Sequence, residues 1–324
     1  MRIARFLSHA LVVAGLLFVA GCALAQANCP PAAPGPDALR PELLRADVRD
    51  RGFLWRLDKE GRTSWLYGTV HASRVEWLVP GPSVQAALAG SDVLALELDL
   101  GDPALPRAFM ASADPARVAR VAAGLQPRIA RLAARACLPG EQLAGIAPML
   151  QLATFSLSEG RREGFHPEFA VDAVLWAQAR RLDKPVVALE TVASQLAALA
   201  PASEDDERQL LEQGVDDLES GEGGPVLVRL LQAWARGDEA ALASYPQWCH
   251  CLDTPAQRRF MQQVNDDRNE AIASRLVGLQ VQGRSFFAAV GALHMTGPKA
   301  LPELLRARGF QVQRIPFSSS RVMP

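Results

Sequence analysis

Apolar positions first recur at a period of two. The runs 53–57 and 63–67 flank Asp58-Lys59-Glu60-Gly61-Arg62, a turn with glycine where a left-handed backbone is needed, and together they predict a β-hairpin. The second run leads directly into Gly68-Thr69-Val70-His71. Beyond Pro80 and Pro82, Ser83 is placed to cap a short helix ending near Gly90, and 93–100 reads as a buried strand. Strand, helix and strand in that order favour a parallel pair with a right-handed crossover. The spacing then changes to three and four residues over 115–137, 148–159, 168–183, 204–219, 225–236 and 255–280, which predicts helices separated by Pro and Gly. Two short apolar runs, 186–189 after Lys184-Pro185 and 285–290 after Gly283, have the length of core strands. A helix after Gly297-Pro298 and a strand over 310–315 close the pattern, and no repeat of solenoid period is visible. The predicted class is α/β, or α+β with large helical insertions, around a mixed and mainly parallel sheet.

The start of the chain belongs to a different pattern. Arg2 and Arg5 precede an apolar run over 10–20 and then small residues, the layout of a secretory signal peptide. Two endings fit. Val19-Ala20-Gly21-Cys22 reads as a lipobox that would lipidate Cys22 and make 1–22 the signal, whereas Ala23-Leu24-Ala25 reads as an ordinary cleavage site after Ala25. The Pro-rich part of 23–49 suits a spacer between an anchor and a folded body over 50–316, with 317–324 as a tail. The mature part offers no unbroken apolar run of roughly 18 residues, so a membrane is expected as a partner only through a lipid anchor. With 34 basic against 35 acidic residues, no global field favours nucleic acid.

Cys29, Cys137, Cys249 and Cys251 remain after either cleavage. In an oxidising compartment four cysteines are read most simply as two disulfides, with three pairings open. Cys249-His250-Cys251 is a poor metal site, because neighbours so close in sequence wrap a tetrahedral ion badly.

Candidate chemistry gathers where strands end. Gly68-Thr69-Val70-His71 and Gly291-Ala292-Leu293-His294 are matching Gly-x-x-His turns, each closing an apolar run, and open α/β sheets bind ligands at such ends. Glu97 and Asp99 share one face if 93–100 is a strand, Glu190 closes 186–189, and such carboxylates need partners when buried. Arg268 and Asn269 on the long helix after Pro255 are candidate partners.

These blocks, in the order Leu66 to His71, Leu94 to Asp99, Lys184 to Thr191, Arg268-Asn269 and Val290 to Gly297, resemble the TraB/GumN family, which is related to the Tiki proteins. The resemblance covers 50–316. Ala170 and Ala188 depart from it, standing where glycine is expected before Asp172 and Glu190. The resemblance implies a fold like erythromycin esterase and the haem-binding ChaN protein. It also implies a metal-dependent hydrolase of peptidase or esterase type, in which His71, His294 and Glu97 bind metal or act in catalysis with Arg268. Glu190, Asn269 and Asp172 would support them. Two imidazoles and a carboxylate suit Zn, Mn, Fe or Co, and such an ion can activate water near neutral pH. The alternative is a non-catalytic periplasmic lipoprotein that holds a peptide, haem or glycan in the same pocket.

Overall fold

The structure, a computed structural model, describes residues 29–317 apart from 36–38, 41, 43, 45 and 46. The signal peptide, both cleavage sites including Cys22, and most of the tail lie outside the described residues.

Six strands form one mixed sheet, with the order β4-β3-β5-β2-β1-β6. The hairpin is β1 (Phe53–Lys59) and β2 (Arg62–Thr69), longer than the pattern predicts because pairing continues to Lys59 opposite Arg62. Gly61 takes the left-handed conformation at φ 73° and closes the turn. Strands β3 (Val93–Leu96), β4 (Val186–Ala188) and β5 (Phe286–Gly291) run parallel to β2, and β6 (Gln311–Ile315) pairs antiparallel with β1. The sheet is therefore parallel across β2, β5, β3 and β4, which all deliver their carboxyl ends to one edge. Its centre is apolar on both faces: Leu94, Phe286, Phe287 and Val290 are fully buried, as helices cover both sides.

Two expectations need correction. The third strand stops at Leu96 instead of Leu100, so the alternation that would place Glu97 and Asp99 on one strand face does not extend to them. Ser83 is also not the cap of its helix, Pro82–Ala89, whose N-cap is Gly81. The orphan amides of Ser83 and Val84 instead donate to Asp50 Oδ1, at 3.0 and 3.2 Å. A β-carbon on Gly81 would meet the Asp50 backbone nitrogen at 2.1 Å, so glycine is required for that close approach.

The middle of the chain is helical as predicted. Helices Pro115–Val121, Gln126–Arg135, Pro148–Gly160 and Glu204–Ser220 enclose a second core of Val121, Leu132, Phe155, Leu211 and Val215. Leu152 and Phe155 of Pro148–Gly160 belong to this core while Leu157 packs against the sheet core, so one helix joins the two. No helix among the described residues is long and apolar enough to cross a membrane. The cysteines pair as Cys29 with Cys137 and Cys249 with Cys251. The first described residues lie against the body, since Cys29 is bonded to the helical core and the Pro31 carbonyl accepts from Arg161 at 3.3 Å.

Candidate functional site

The parallel strands bring together side chains more than 200 positions apart in sequence. Gly68 pairs with Val290 and Thr69 with Gly291, so the two Gly-x-x-His turns leave the sheet side by side. They pack closely: a β-carbon on Gly68 would meet Ala292 Cα at 3.2 Å. The Gly68 carbonyl accepts from the indole of the fully buried Trp234 at 2.7 Å, which fixes where the first turn begins. The second turn itself forms a 3-10 segment, Ala292–Met295, which carries a buried His294.

Glu97 follows β3 directly and Glu190 follows β4, and their backbones stay paired, Glu190 N–H donating to the Glu97 carbonyl at 3.0 Å. Both carboxylates face Arg268, which is 12 % exposed. Its Nη2 donates to Glu97 Oε2 at 2.5 Å and to Glu190 Oε2, and its Nε donates to Glu190 Oε1 at 2.9 Å. The candidate pairing of Arg268 with these carboxylates is thus what the structure contains. A π-helical turn, Gln262–Asp266, sits just ahead of Arg268, whose Nη1 donates to the Val264 carbonyl inside it at 3.0 Å. Glu97 also accepts from the Gly291 N–H at 2.8 Å on Oε1 and from Gln195 Nε2 at 3.0 Å on Oε2.

Asn269, on the same helix but fully buried, serves His294. Its Nδ2 donates to the carbonyls of Lys299 at 2.8 Å and His294 at 3.3 Å. That orientation turns Oδ1 toward His294 Nδ1, 2.6 Å away. Since Oδ1 only accepts, Nδ1 carries the proton and Nε2 keeps a bare lone pair in the neutral ring. Glu97 Oε1 and His294 Cδ2, the carbon bonded to Nε2, each lie 3.4 Å from the point a β-carbon on Gly291 would occupy. Glycine at the second turn therefore keeps the space between the carboxylate and this imidazole edge clear.

His71 stands at the open side, with 58 % of its side chain exposed. Val171 N–H donates to the Val70 carbonyl at 3.0 Å, which holds the start of helix Val171–Arg181 against the first turn and sets Asp172 Oδ1 3.5 Å from His71 Nδ1. Asp99, in contrast, turns away from the cluster and accepts from Gly101 N–H at 2.9 Å and Trp176 Nε1 at 3.3 Å.

These settings push the titrating groups apart. The Asp172 carboxylate beside it raises the His71 imidazole to about 9. Burial lowers His294 to about 4, with Arg268 and His71 adding to the shift and Glu97 opposing it. Burial alone would raise Glu97; His294, Arg268 and His71 outweigh it and hold the carboxyl at about 2. Burial likewise disfavours the Arg268 charge, and Glu190 with Glu97 overcomes it.

The donor chemistry fits a divalent ion in one respect. His294 turns Nδ1 to the Asn269 oxygen, the usual support of a metal-bound histidine, and so leaves Nε2 for an ion, while His71 Nδ1 faces Asp172 at 3.5 Å without a hydrogen bond. Among the described residues, however, no three His, Cys, Asp or Glu side chains stand close enough to hold one as they are.

Gln195 is the site residue that sequence reasoning missed. It lies on the short helix Val192–Ala198, whose start is marked by a capping box between Thr191 and Ser194 directly after Glu190. That box was the available signal, since a helix begun there returns its first turn to the strand ends.

No curated protein and no solved structure matches this chain. A family model does, over residues 53–314, from the first strand of the hairpin to the last strand of the sheet and through every residue of the cluster. The chain belongs to the TraB/PrgY/gumN family.

Proposed function

We propose that this protein hydrolyses a peptide or ester bond at the strand-end cluster, in the periplasm after export. The observation that carries the reading is the unequal pair of imidazoles: His294 is buried and locked with a bare Nε2 beside Glu97, while His71 is open to solvent beside Asp172. Groups whose surroundings push their proton affinities apart are suited to opposite roles in proton transfer. His294 Nε2 takes a proton as base, and His71, protonated near neutral pH, donates one to a leaving group. Asn269 keeps the tautomer of His294, and Arg268 keeps Glu97 ionised as an acceptor. If a Zn, Mn, Co or Fe ion binds instead, His71, His294 and Glu97 would hold it in place of these proton-transfer roles, and it would supply a water acidified toward neutral pH.

The test is hydrolysis of a panel of chromogenic esters and a peptide library by the purified protein, before and after chelation and metal return. His294→Ala and His71→Ala are each expected to lower kcat/KM by about a hundredfold or more, the usual contribution of an acid or base. Asp99→Asn, which keeps an acceptor for Gly101 and Trp176, should leave it within about twofold. Full activity in either histidine variant would sink the catalytic reading. Ligand capture without turnover would make the pocket a binding site for a peptide, haem or glycan.

A further inference from the structure

The two cysteine pairs differ in what they can do for the fold. Cys29 and Cys137 are 108 residues apart, Cys249 and Cys251 only 2. A crosslink restricts the unfolded chain according to the length of the loop it closes, and the resulting equilibrium constant scales as roughly the three-halves power of that length. On that ground the long-range bond outweighs the short one by roughly two orders of magnitude. The short ring restrains almost nothing beyond His250.

That residue is held left-handed, at φ 54°, where the helix Tyr245–Trp248 ends and Cys249 forms its C-cap. A side chain other than glycine is disfavoured there, so closing the ring fixes His250 in a conformation it would otherwise leave. The two cysteines are also unequally exposed. Cys249 is 5 % exposed, whereas Cys251 is half-buried. Across the ring, the Cys251 N–H donates to Cys249 Sγ at 3.1 Å.

We propose that Cys249 and Cys251 are a thiol–disulfide exchange site that takes two electrons from a dithiol on a protein or peptide partner. The partner thiolate attacks Cys251 Sγ, the sulfur of the more exposed cysteine. The ring S–S bond breaks as the new one forms, and its electron pair leaves on Cys249 Sγ, where the Cys251 N–H stabilises the thiolate. The second thiolate of the partner then attacks the partner's own sulfur in the mixed disulfide and expels Cys251 as a thiolate. The partner ends as a disulfide, oxidised by two electrons, and its two protons pass to Cys249 and Cys251. The site is separate from the histidine cluster and does not rest on the hydrolytic reading.

The test is equilibration of the whole protein with a series of reduced-to-oxidised dithiothreitol ratios, followed by acid quench, alkylation and peptide mapping. Cys249 and Cys251 should be half reduced at a ratio about a hundredfold lower than Cys29 and Cys137. Reduction of both pairs at the same ratio, or of the short ring last, would overturn the proposal. Single variants then test the direction of attack. Cys249→Ser leaves Cys251 as the reacting thiol and should attack an aromatic disulfide reagent about tenfold faster than Cys251→Ser, which leaves the buried Cys249. Equal or reversed rates would refute Cys251 as the attacked sulfur.

Discussion

Because the amide nitrogen of Asn269 is committed to two carbonyls, its oxygen has a single orientation, and His294 inherits its tautomer from that. The buried ring stays neutral down to about pH 4, whereas in the unfolded chain it takes a proton near pH 6.5. Its contribution to stability is therefore complete above pH 6.5 and falls as pH drops toward 4, by on the order of 3 kcal/mol. Glu97, held at about 2 against an ordinary 4.5, adds a further loss only below pH 4.5. His71 acts in the other direction: raised to about 9, it contributes below pH 6.5 and loses that contribution as pH rises through 9, weakly because water screens an exposed ring. For protein stripped of metal by chelation, the thermal midpoint should peak near pH 6.5, and His294→Ala should flatten the fall between 6.5 and 4.5. An unchanged slope in that variant would assign the acid sensitivity elsewhere. Gly291→Ala is a complementary case. Its methyl would sit at van der Waals contact with Glu97 and His294, and its backbone, at φ −47°, suits alanine. The expected result is a thermal midpoint within about 2 °C of the parent, with loss of hydrolysis or ligand capture. A midpoint lowered by much more would show that glycine serves packing there.

At the scale of elements, the strand ends carry the site because each is followed within three residues by one that the sheet edge cannot bury alone. Arg268 solves this for two of them. It stands between Glu97 and Glu190, and all three side chains are largely buried. Arg268→Ala would leave two ionised carboxylates facing each other without a cation, and is expected to cost about 3–5 kcal/mol in urea unfolding. Glu190→Gln, which keeps an acceptor oxygen, should cost less, and Arg268→Ala combined with Glu190→Gln should recover part of the loss. A null effect of Arg268→Ala would mean that the triad is not formed in solution. Much of this arrangement was legible in the sequence. The two glycine turns, the carboxylates after short apolar runs and the Arg268-Asn269 pair all stand in a periodic context that gives them a place at one edge. What was not legible has local causes. The third strand ends at Leu96 although the apolar run extends to Leu100, and the Glu97 side chain is committed to Arg268 and the Gly291 N–H, a tertiary demand that no local pattern shows. The cap of helix Pro82–Ala89 comes from Asp50, more than thirty residues upstream, and no local pattern announces it. The short helices Ala104–Met110 and Val192–Ala198 are too brief to show a period.

Over the whole molecule, the first described residues are tied covalently to the edge of the second core. Cys29 lies on the segment leading toward the first strand, and Cys137 follows the helix Gln126–Arg135, whose Ile129, Leu132 and Ala133 belong to the helical core. The bond closes a loop that contains the hairpin, β3 and the first helices of the second core. In the unfolded chain it removes the freedom of that whole loop, whereas in the folded state its ends are already adjacent. Replacing both partners, Cys29→Ser with Cys137→Ser, is expected to lower stability by about 5 kcal/mol on the chain-entropy account. The slope of unfolding free energy against urea should also steepen, because an uncrosslinked unfolded chain exposes more surface. The strand-end cluster is formed by other residues, so hydrolysis or ligand capture should persist at temperatures where the variant is folded. The pair Cys249→Ser with Cys251→Ser is the control: its ring spans two residues, and its removal should change stability by about 1 kcal/mol or less while releasing His250 from its left-handed backbone. Equal losses from the two double variants would mean that loop length does not govern what these bonds contribute, and with it the division between a structural disulfide and an exchanging one would fall.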